Sequence, residues 1–482
     1  MLVAVGIGIG IALRLVVLRS RLGTVDSDEA VVGLMARHIA HGGFRAFYWG
    51  QPYGGTVEAV LAAVLFKVLG PSTTALKLVP LGLEALAAFL VWRVGRRLID
   101  PGPAAVAALL VWVWPANYLW WSTKERGFYE ACLCLGLGAA LSALGIVDNG
   151  STRWRDWVVL GLLAGLGWWE SPQVVYVLAP TAAWLVWRVR GRAWRAVAAV
   201  PAFALGAMPW LWSNLGNGFS SLDPPPSPVK GSYVGHLSVL LHLGLPMTLG
   251  LRVAYTSRWV GPRPVGIALY LVALAVVGAA LLRRWPGGRL AVLVVLSFPF
   301  LHSLLTLAGT VAEGRYTLFV LPWLALALAH RADRRITAAL LGAVAVVVTI
   351  AGLVDMRDLT SPFAPDRRVP RSLAALERGL AAHGVTRAWA NYWVAYRLTF
   401  QTGERVIAAP TTSDRYPPYT RLVSTTPGAA HVFVSRTASE AGFRHGLDER
   451  RIPYDRWEAG VDWVIYVPHI AVGPLELAGS FP

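Results

Sequence analysis

Apolar residues gather along this chain in long runs, not in the short alternations of a soluble core. The runs lie at about 2–19, 74–92, 102–121, 127–147, 157–169, 174–188, 195–213, 264–282, 290–309, 315–330 and 336–354. A helix needs roughly 20 apolar residues to cross the hydrocarbon of a bilayer, and most of these runs approach that length. Two are short for a crossing. With a cytoplasmic N-terminus, the loops 93–101, 148–156, 189–194, 283–289 and 331–335 face the cytoplasm. They contain Arg93, Arg96, Arg97, Arg153, Arg155, Arg190, Arg192, Arg283, Arg284, Arg289, Arg331, Arg334 and Arg335. That excess is the positive-inside pattern. The pattern predicts a polytopic α-helical membrane protein of about 11 spans.

One further apolar run, Thr56 to Leu69, contains Glu58 and Lys67. Counting it as a span would invert every later loop and place the arginine clusters outside. It is read as an outer-face amphipathic helix within the first loop, lying on the membrane or against the bundle. Val234 to Leu251 is read the same way. The segment Asp-Pro-Pro-Pro-Ser-Pro at 223–228 predicts an extended outer loop, because proline breaks a helix.

After Asp355 the pattern shortens. Ser372 to His383 has helical spacing at Leu373, Leu376 and Leu380, and Val406–Ala409, His431–Val434 and Val461–Val467 read as strands. A membrane domain over 1–355 and a small C-terminal extracytoplasmic α/β domain over 356–482 are expected. Eleven spans place the latter outside.

Composition narrows the function classes. Only 15% of residues are charged and 55% are hydrophobic, where a soluble domain has about a quarter charged. The formal charge of +17 would invite a nucleic-acid partner, but much of it sits in the short loops that face the cytoplasm, so nucleic acid is excluded. Cys132 and Cys134 are two apart in one apolar run and face different sides of a helix, so they read as small core residues. Met1 to Val17 has no basic start and no small-residue cleavage site, and reads as a retained first span.

Candidate chemistry lies in the outer loops. Asp26, Asp28 and Glu29 follow the first span, before a helix whose apolar face carries Val31, Leu34, Met35 and Ile39. Asp26 as N-cap with Glu29 three residues on makes a capping-box start. The same carboxylates suit a general base or a metal ligand at the membrane surface, since a sugar hydroxyl is a weak nucleophile until its proton is accepted. Later in the loop stand Tyr48, Trp49, Gln51, Tyr53, a Gly-Gly turn and Glu58. These fit a sugar platform or an interfacial aromatic belt. Lys124, Glu125 and Arg126 form a second-loop cluster that reads either as a solvated loop with local ion pairs or as cations within reach of a lipid phosphate, and Glu170 sits in another outer turn. Glu313, Arg315 and Tyr316 open a late span; Arg315 either snorkels or meets an anion there. His302 reads as a packed residue.

At these residues the sequence resembles the C-type glycosyltransferases that use polyprenyl-phosphate sugars. It is similar to the protein O-mannosyltransferase and lipid A aminoarabinose transferase group, through Asp28-Glu29 after the first span, the Gln-Pro-Tyr segment ending in Glu58, and Arg315-Tyr316. The segment Asn391 to Arg397 also resembles bacterial members. The likeness covers roughly residues 1–330. It implies an inverting transfer at the outer face of a bacterial plasma membrane, from a polyprenyl-phosphate-linked donor to a lipid, glycan or protein hydroxyl. Asp28 then matches the catalytic aspartate, with Glu29, Asp26 or Glu58 positioning acceptor or sugar. Arg315 and Tyr316, with Lys124 and Arg126, would attend the phosphate. Gln51, Trp49, Tyr53, Glu125 and Glu170 complete the expected sugar or acceptor contacts. No cofactor is required, although clustered carboxylates are a set that a divalent metal can use. Ala30 and Val31 follow the acidic pair where the lipid A enzymes carry an arginine nearby, and Glu58-Ala59-Val60 replaces their Glu-Lys-Pro segment. An aminoarabinose donor and a lipid A acceptor therefore do not follow. Two other classes compete: a transporter or lipid flippase, and a non-catalytic envelope assembly protein. Charges gathered at one surface, without paired repeats, favour the enzyme.

Overall fold

The structure, a computed structural model, describes residues 2–150, 152–223, 231–282, 285, 287–304, 314–330, 332, 334–357 and 370–473. Glu313, Arg283, Arg284, Arg331 and residues 224–228 of the proline-rich loop lie outside the described residues.

Helices follow the apolar runs closely. They are α1 (Leu2–Arg19), α2 (Ser27–Ala40), α3 (Val57–Leu69), α4 (Thr73–Leu98), α5 (Pro101–Val113), α6 (Ala116–Trp121) and α7 (Tyr129–Asp148), then α8 (Trp154–Glu170), α9 (Val175–Val189), α10 (Ala199–Gly206) and α11 (Met208–Gly216). Short α12 (Tyr233–Val239) and α13 (Leu245–Thr248) precede α14 (Arg263–Leu282), α15 (Arg289–Ser303), α16 (Leu321–Ala329) and α17 (Arg335–Met356).

Helix length does not establish eleven crossings. Among the described residues four helices, α4, α7, α14 and α17, are long and apolar enough to cross a membrane. The number rises to six if two bent pairs each count as one span. The remaining runs are shortened by identifiable breaks. Pro115 has no N–H to continue a helix and separates α5 from α6. The run 195–213 bends by 59° between Gly206 and Met208.

One charged residue sits inside the first run. Arg14 is buried in α1, donates to Ser122 Oγ at 2.9 Å and to the Trp112 carbonyl at 2.8 Å, and lies 3.7 Å from Glu84. Those partners make a buried guanidinium tolerable.

The C-terminal part forms a five-stranded sheet. Its helices α18 (Ala374–Ala382), α19 (Tyr392–Gln401), α20 (Pro417–Ser424) and α21 (Ala438–Glu449) alternate with β1 (Arg387–Ala390), β2 (Ile407–Pro410), β3 (Ala430–Val434), β4 (Tyr454–Ala459) and β5 (Trp463–Pro468). Strand order is β2-β1-β3-β5-β4, parallel across the first three and antiparallel at β5 and β4. The helix α19 packs along α2. Gly33 permits that approach: a Cβ there would lie 2.5 Å from the Phe400 ring. The sheet is thus seated directly on the helix that carries the acidic motif.

Candidate functional site

The site begins where the chain bends by 82° from α1 into α2. Asp26 caps α2, accepting from the Glu29 amide at 3.2 Å, and Glu29 accepts in return from the Asp26 amide at 3.2 Å. This reciprocal pair satisfies two orphan donors of the helix start, as the spacing predicts.

Behind the cap lies a dense ionic shell. Lys77 of α4 donates to Glu29 Oε1 at 2.6 Å and to the Thr123 carbonyl at 2.9 Å. Lys124 donates to Glu29 Oε2 at 2.8 Å and to the Thr24 carbonyl, and lies 3.4 Å from Asp26 Oδ2. Glu29, Lys77 and Lys124 are all buried. Burial pushes the Asp26 carboxyl upward, but the charges of Arg126 and Lys124 outweigh it and hold it at about 2.

Arg126 joins this shell to an opening. Its guanidinium donates to Asp26 Oδ2 at 2.7 Å and to Asp28 Oδ2 at 2.6 Å. Asp28 faces a cavity of about 340 Å³ whose lining includes Arg126, Arg315, Tyr316, Tyr48, Gln51 and Tyr53. Tyr392, Trp393 and Arg415, from the C-terminal part of the chain, close it. Among the described lining residues, one carboxylate stands against three guanidinium groups, Arg126, Arg315 and Arg415. That excess of positive charge suits an anionic phosphate.

Arg315 opens a short 3-10 turn, Arg315–Val320, that leads into α16. Its guanidinium carbon lies 5.0 Å from the Tyr316 ring centre and 5.4 Å from that of Tyr129. The aromatic rings pack against the cation beside the cavity.

A second cavity, of about 1030 Å³, shares Tyr48, Gln51 and Arg415 with the first. Trp49 stacks there on Tyr416, with ring centres 4.0 Å apart. Arg45 and Arg421 add charge, while Met208 and the exposed Trp212 of α11 form an apolar side. One end is therefore polar and aromatic and the other is apolar.

The sequence-predicted residues divide accordingly. Asp28, Arg126, Arg315, Tyr316, Gln51 and Tyr53 come together at the first cavity, and Trp49 at the second. Asp26, Glu29 and Lys124 form the ionic shell behind. Three glutamates face neither cavity, and two of them, Glu58 and Glu170, fasten the first loop to the bundle. Glu58 accepts from the Ala131 amide at 2.9 Å, Glu125 from the Gly127 amide at 3.1 Å, and Glu170 from the Val57 amide at 2.6 Å. Burial raises the Glu58 and Glu125 carboxyls, and the nearby Glu58 charge lifts Glu125 further. Gly55 lets the loop approach this closely, since a Cβ there would meet the Glu170 backbone at 2.6 Å.

Sequence reasoning missed three contributors. Lys77 is hidden in an apolar run. Tyr392 was noted only for its segment's resemblance. Arg415 follows β2 in a polar loop that nothing ties to the membrane domain until the fold does so.

The residues present do not fit a resident divalent metal. The oxygens of Asp26, Asp28 and Glu29 are engaged by ammonium, guanidinium, phenol or amide donors. Among the described residues no group of three or more His, Cys, Asp or Glu is arranged to hold one.

Residues 55–212, about a third of the chain, match the family model of dolichyl-phosphate-mannose-protein mannosyltransferase. No curated protein matches the chain. Among solved structures, ArnT from Cupriavidus metallidurans bound to undecaprenyl phosphate is 12% identical over 96% of this chain and 97% of that one, with a TM-score of 0.63. The same protein in the apo state gives 0.60 at the same identity and coverage. The Archaeoglobus fulgidus oligosaccharyltransferase in complex with Zn and sulfate is 13% identical over 97% of this chain and 73% of that one, with a TM-score of 0.50. Identities this low speak for the fold alone. The chain has the fold of the C-type glycosyltransferases, and the resemblance read from its sequence is borne out.

Proposed function

We propose that this protein is an inverting membrane glycosyltransferase that moves a sugar from a polyprenyl-phosphate carrier to an acceptor hydroxyl at the outer face of the membrane. One observation carries the reading: Asp28 opens onto a cavity whose described lining adds three guanidinium groups and aromatic rings. That is a base beside an anion site.

Asp28 accepts the acceptor's proton as the acceptor oxygen bonds to the anomeric carbon. The bond from that carbon to the phosphate oxygen breaks, and its electron pair leaves with the phosphate. Arg315 stabilises the growing negative charge. Asp28 is the single carboxylate among the described lining residues. A retaining double displacement needs a second, nucleophilic group, so one displacement with inversion is the better fit. The carrier follows from the neighbour solved with undecaprenyl phosphate, and the positive lining is chemically suited to such a ligand. The second cavity is the acceptor's approach: its apolar side is level with α11 and its polar end borders Gln51 and Tyr48. The arginine-rich loops support a cytoplasmic N-terminus with the cavities on the outer side.

The test is release of undecaprenyl phosphate from a panel of undecaprenyl-phosphate hexoses and pentoses by the purified full chain, with membrane lipid and glycan extracts as acceptors. Release dependent on Asp28 and Arg315 supports the reading. Binding of such donors with no release from any of them, with or without extract, favours a transporter or carrier protein.

A further inference from the structure

The base is held from two sides. Arg126, in the second outer loop of the membrane domain, takes Asp28 Oδ2 at 2.6 Å. The Tyr392 hydroxyl, from the C-terminal domain, donates to Asp28 Oδ1. A second bond repeats the connection at the backbone, where Ser27 Oγ donates to the Tyr392 carbonyl. Tyr392 is placed by its own local structure. The strand β1 ends at Ala390, Asn391 caps α19 by accepting from the Val394 amide at 3.2 Å, and Tyr392 occupies the first turn. The phenol is buried, and Arg415 Nε points at its oxygen from 3.4 Å.

A carboxylate acting as base must present a defined lone pair to the incoming hydroxyl. One donor leaves it free to turn about its terminal torsion, and two donors on opposite oxygens remove that freedom. Arg126 alone satisfies the charge of Asp28 but not its orientation. We propose that Tyr392 is a positioning residue for Asp28, so that the C-terminal domain completes the active site of the membrane domain through this phenol. The proposal rests on the reading of Asp28 as general base. It assigns the outer domain a part in the chemistry that residues 1–355 alone do not supply.

Electrostatics gives the proposal a signature. A hydrogen bond donated to the charged form of a carboxylate favours that form, so its loss raises the carboxylate's pKa. The groups facing Asp28 are Arg126 from the second outer loop, Tyr48 from the first, Arg315 across the cavity, Tyr392 and Arg415 from the C-terminal domain, and Asp26 and Glu29 on its own turn. Tyr392→Phe leaves all the others in place.

The experiment is an infrared titration of the purified full chain in nanodiscs, with the Asp28 carboxyl band assigned by its disappearance in Asp28→Asn. Tyr392→Phe is expected to move the Asp28 midpoint up by about one pH unit, the equivalent of one hydrogen bond to a charged group. The acidic limb of turnover should move with it, and turnover should fall about tenfold while donor KM changes less than about threefold. Tyr419→Phe is the control. Its hydroxyl bonds Glu404 at 2.5 Å and lies 3.3 Å from His38 at the far end of α2. It weakens the same domain contact and should shift neither midpoint nor limb. If Tyr392→Phe folds poorly, 3-fluorotyrosine at position 392 serves instead. Its more acidic phenol should lower the midpoint. An unmoved midpoint and limb in Tyr392→Phe or in the fluorotyrosine protein, with Asp28→Asn inactive, overturns this proposal alone. An active Asp28→Asn overturns the reading of the base, whatever Tyr392 does.

Discussion

Asp26 and Asp28 stand two residues apart, carry the same side chain and share one arginine, yet the fold gives them different work. Asp26 belongs to the inner shell with Glu29, Lys77 and Lys124, buried and fully paired. Asp28 is the member of the acidic motif that lines the cavity. The helix start explains the division. A capping box turns the N-cap and N3 side chains back onto the backbone, while Asp28, at N2 between them, faces the cavity. The ion pairs of the shell hold α2; at its edge Asp28, paired with Arg126, lines the cavity where a substrate can reach it.

The sharpest way to break this comparison is to neutralise each aspartate in turn. Asp28→Asn should keep the fold and lower transfer by about 10²–10⁴-fold, because an amide cannot accept the proton. Asp26→Asn should lower thermal stability while the folded fraction retains most of its turnover. Equal losses in both would erase the distinction.

Arg315 comes next. Arg315→Leu should cost about 10²–10³-fold in turnover, the usual effect of losing one charge stabiliser in the transition state. Arg315→Lys should lie between leucine and the parent, since it keeps the charge and loses the fork. Normal kinetics in a stability-matched leucine variant would remove Arg315 from the site.

The shell should respond in stability. Glu29→Gln leaves Lys77 and Lys124 buried without their carboxylate, at a cost of about 3–5 kcal/mol. Melting of the detergent-solubilised chain reads it. A change in turnover larger than that in folded fraction would move Glu29 into the chemistry.

The pH dependence of Asp26 follows from its depressed pKa. A group held below its unfolded value stabilises the fold above that value, and the gain is lost as pH falls through the folded one. The contribution, about 2 kcal/mol, should be complete above about pH 4 and disappear toward about pH 2. Melting temperature against pH should show that loss in the parent and not in Asp26→Asn.

The smallest effect belongs to the domain contact. Gly33→Ala gains about 1 kcal/mol of helix propensity and pushes against Phe400, so a net loss of about 1–2 kcal/mol is expected.

Much of this was legible in the sequence because it depends on local pattern. Apolar runs gave the helices, and the spacing of Asp26 and Glu29 gave the cap. Three strands of the C-terminal sheet were readable as apolar segments. Two were not. Arg387–Ala390 is four residues long, and Tyr454–Ala459 is an edge strand whose polar residues carry little hydrophobic signal. The expectation that Asp28, Arg315 and Arg126 act at one place came from resemblance and loop order, and the cavity brings them together. What stayed hidden depends on contacts across hundreds of residues. No periodicity links Tyr392 or Arg415 to Asp28, and Lys77 reads as a blemish in a span until Glu29 meets it.

In the proposed mechanism Asp28 and Arg315 face one donor phosphate. Cryo-electron microscopy of the full chain in nanodiscs with undecaprenyl phosphate tests it most directly. Phosphate density is expected within hydrogen-bond reach of the Arg315 guanidinium, inside the cavity that Asp28 lines. Phosphate density in the Trp49–Tyr416 cavity, with none beside Arg315, would contradict it.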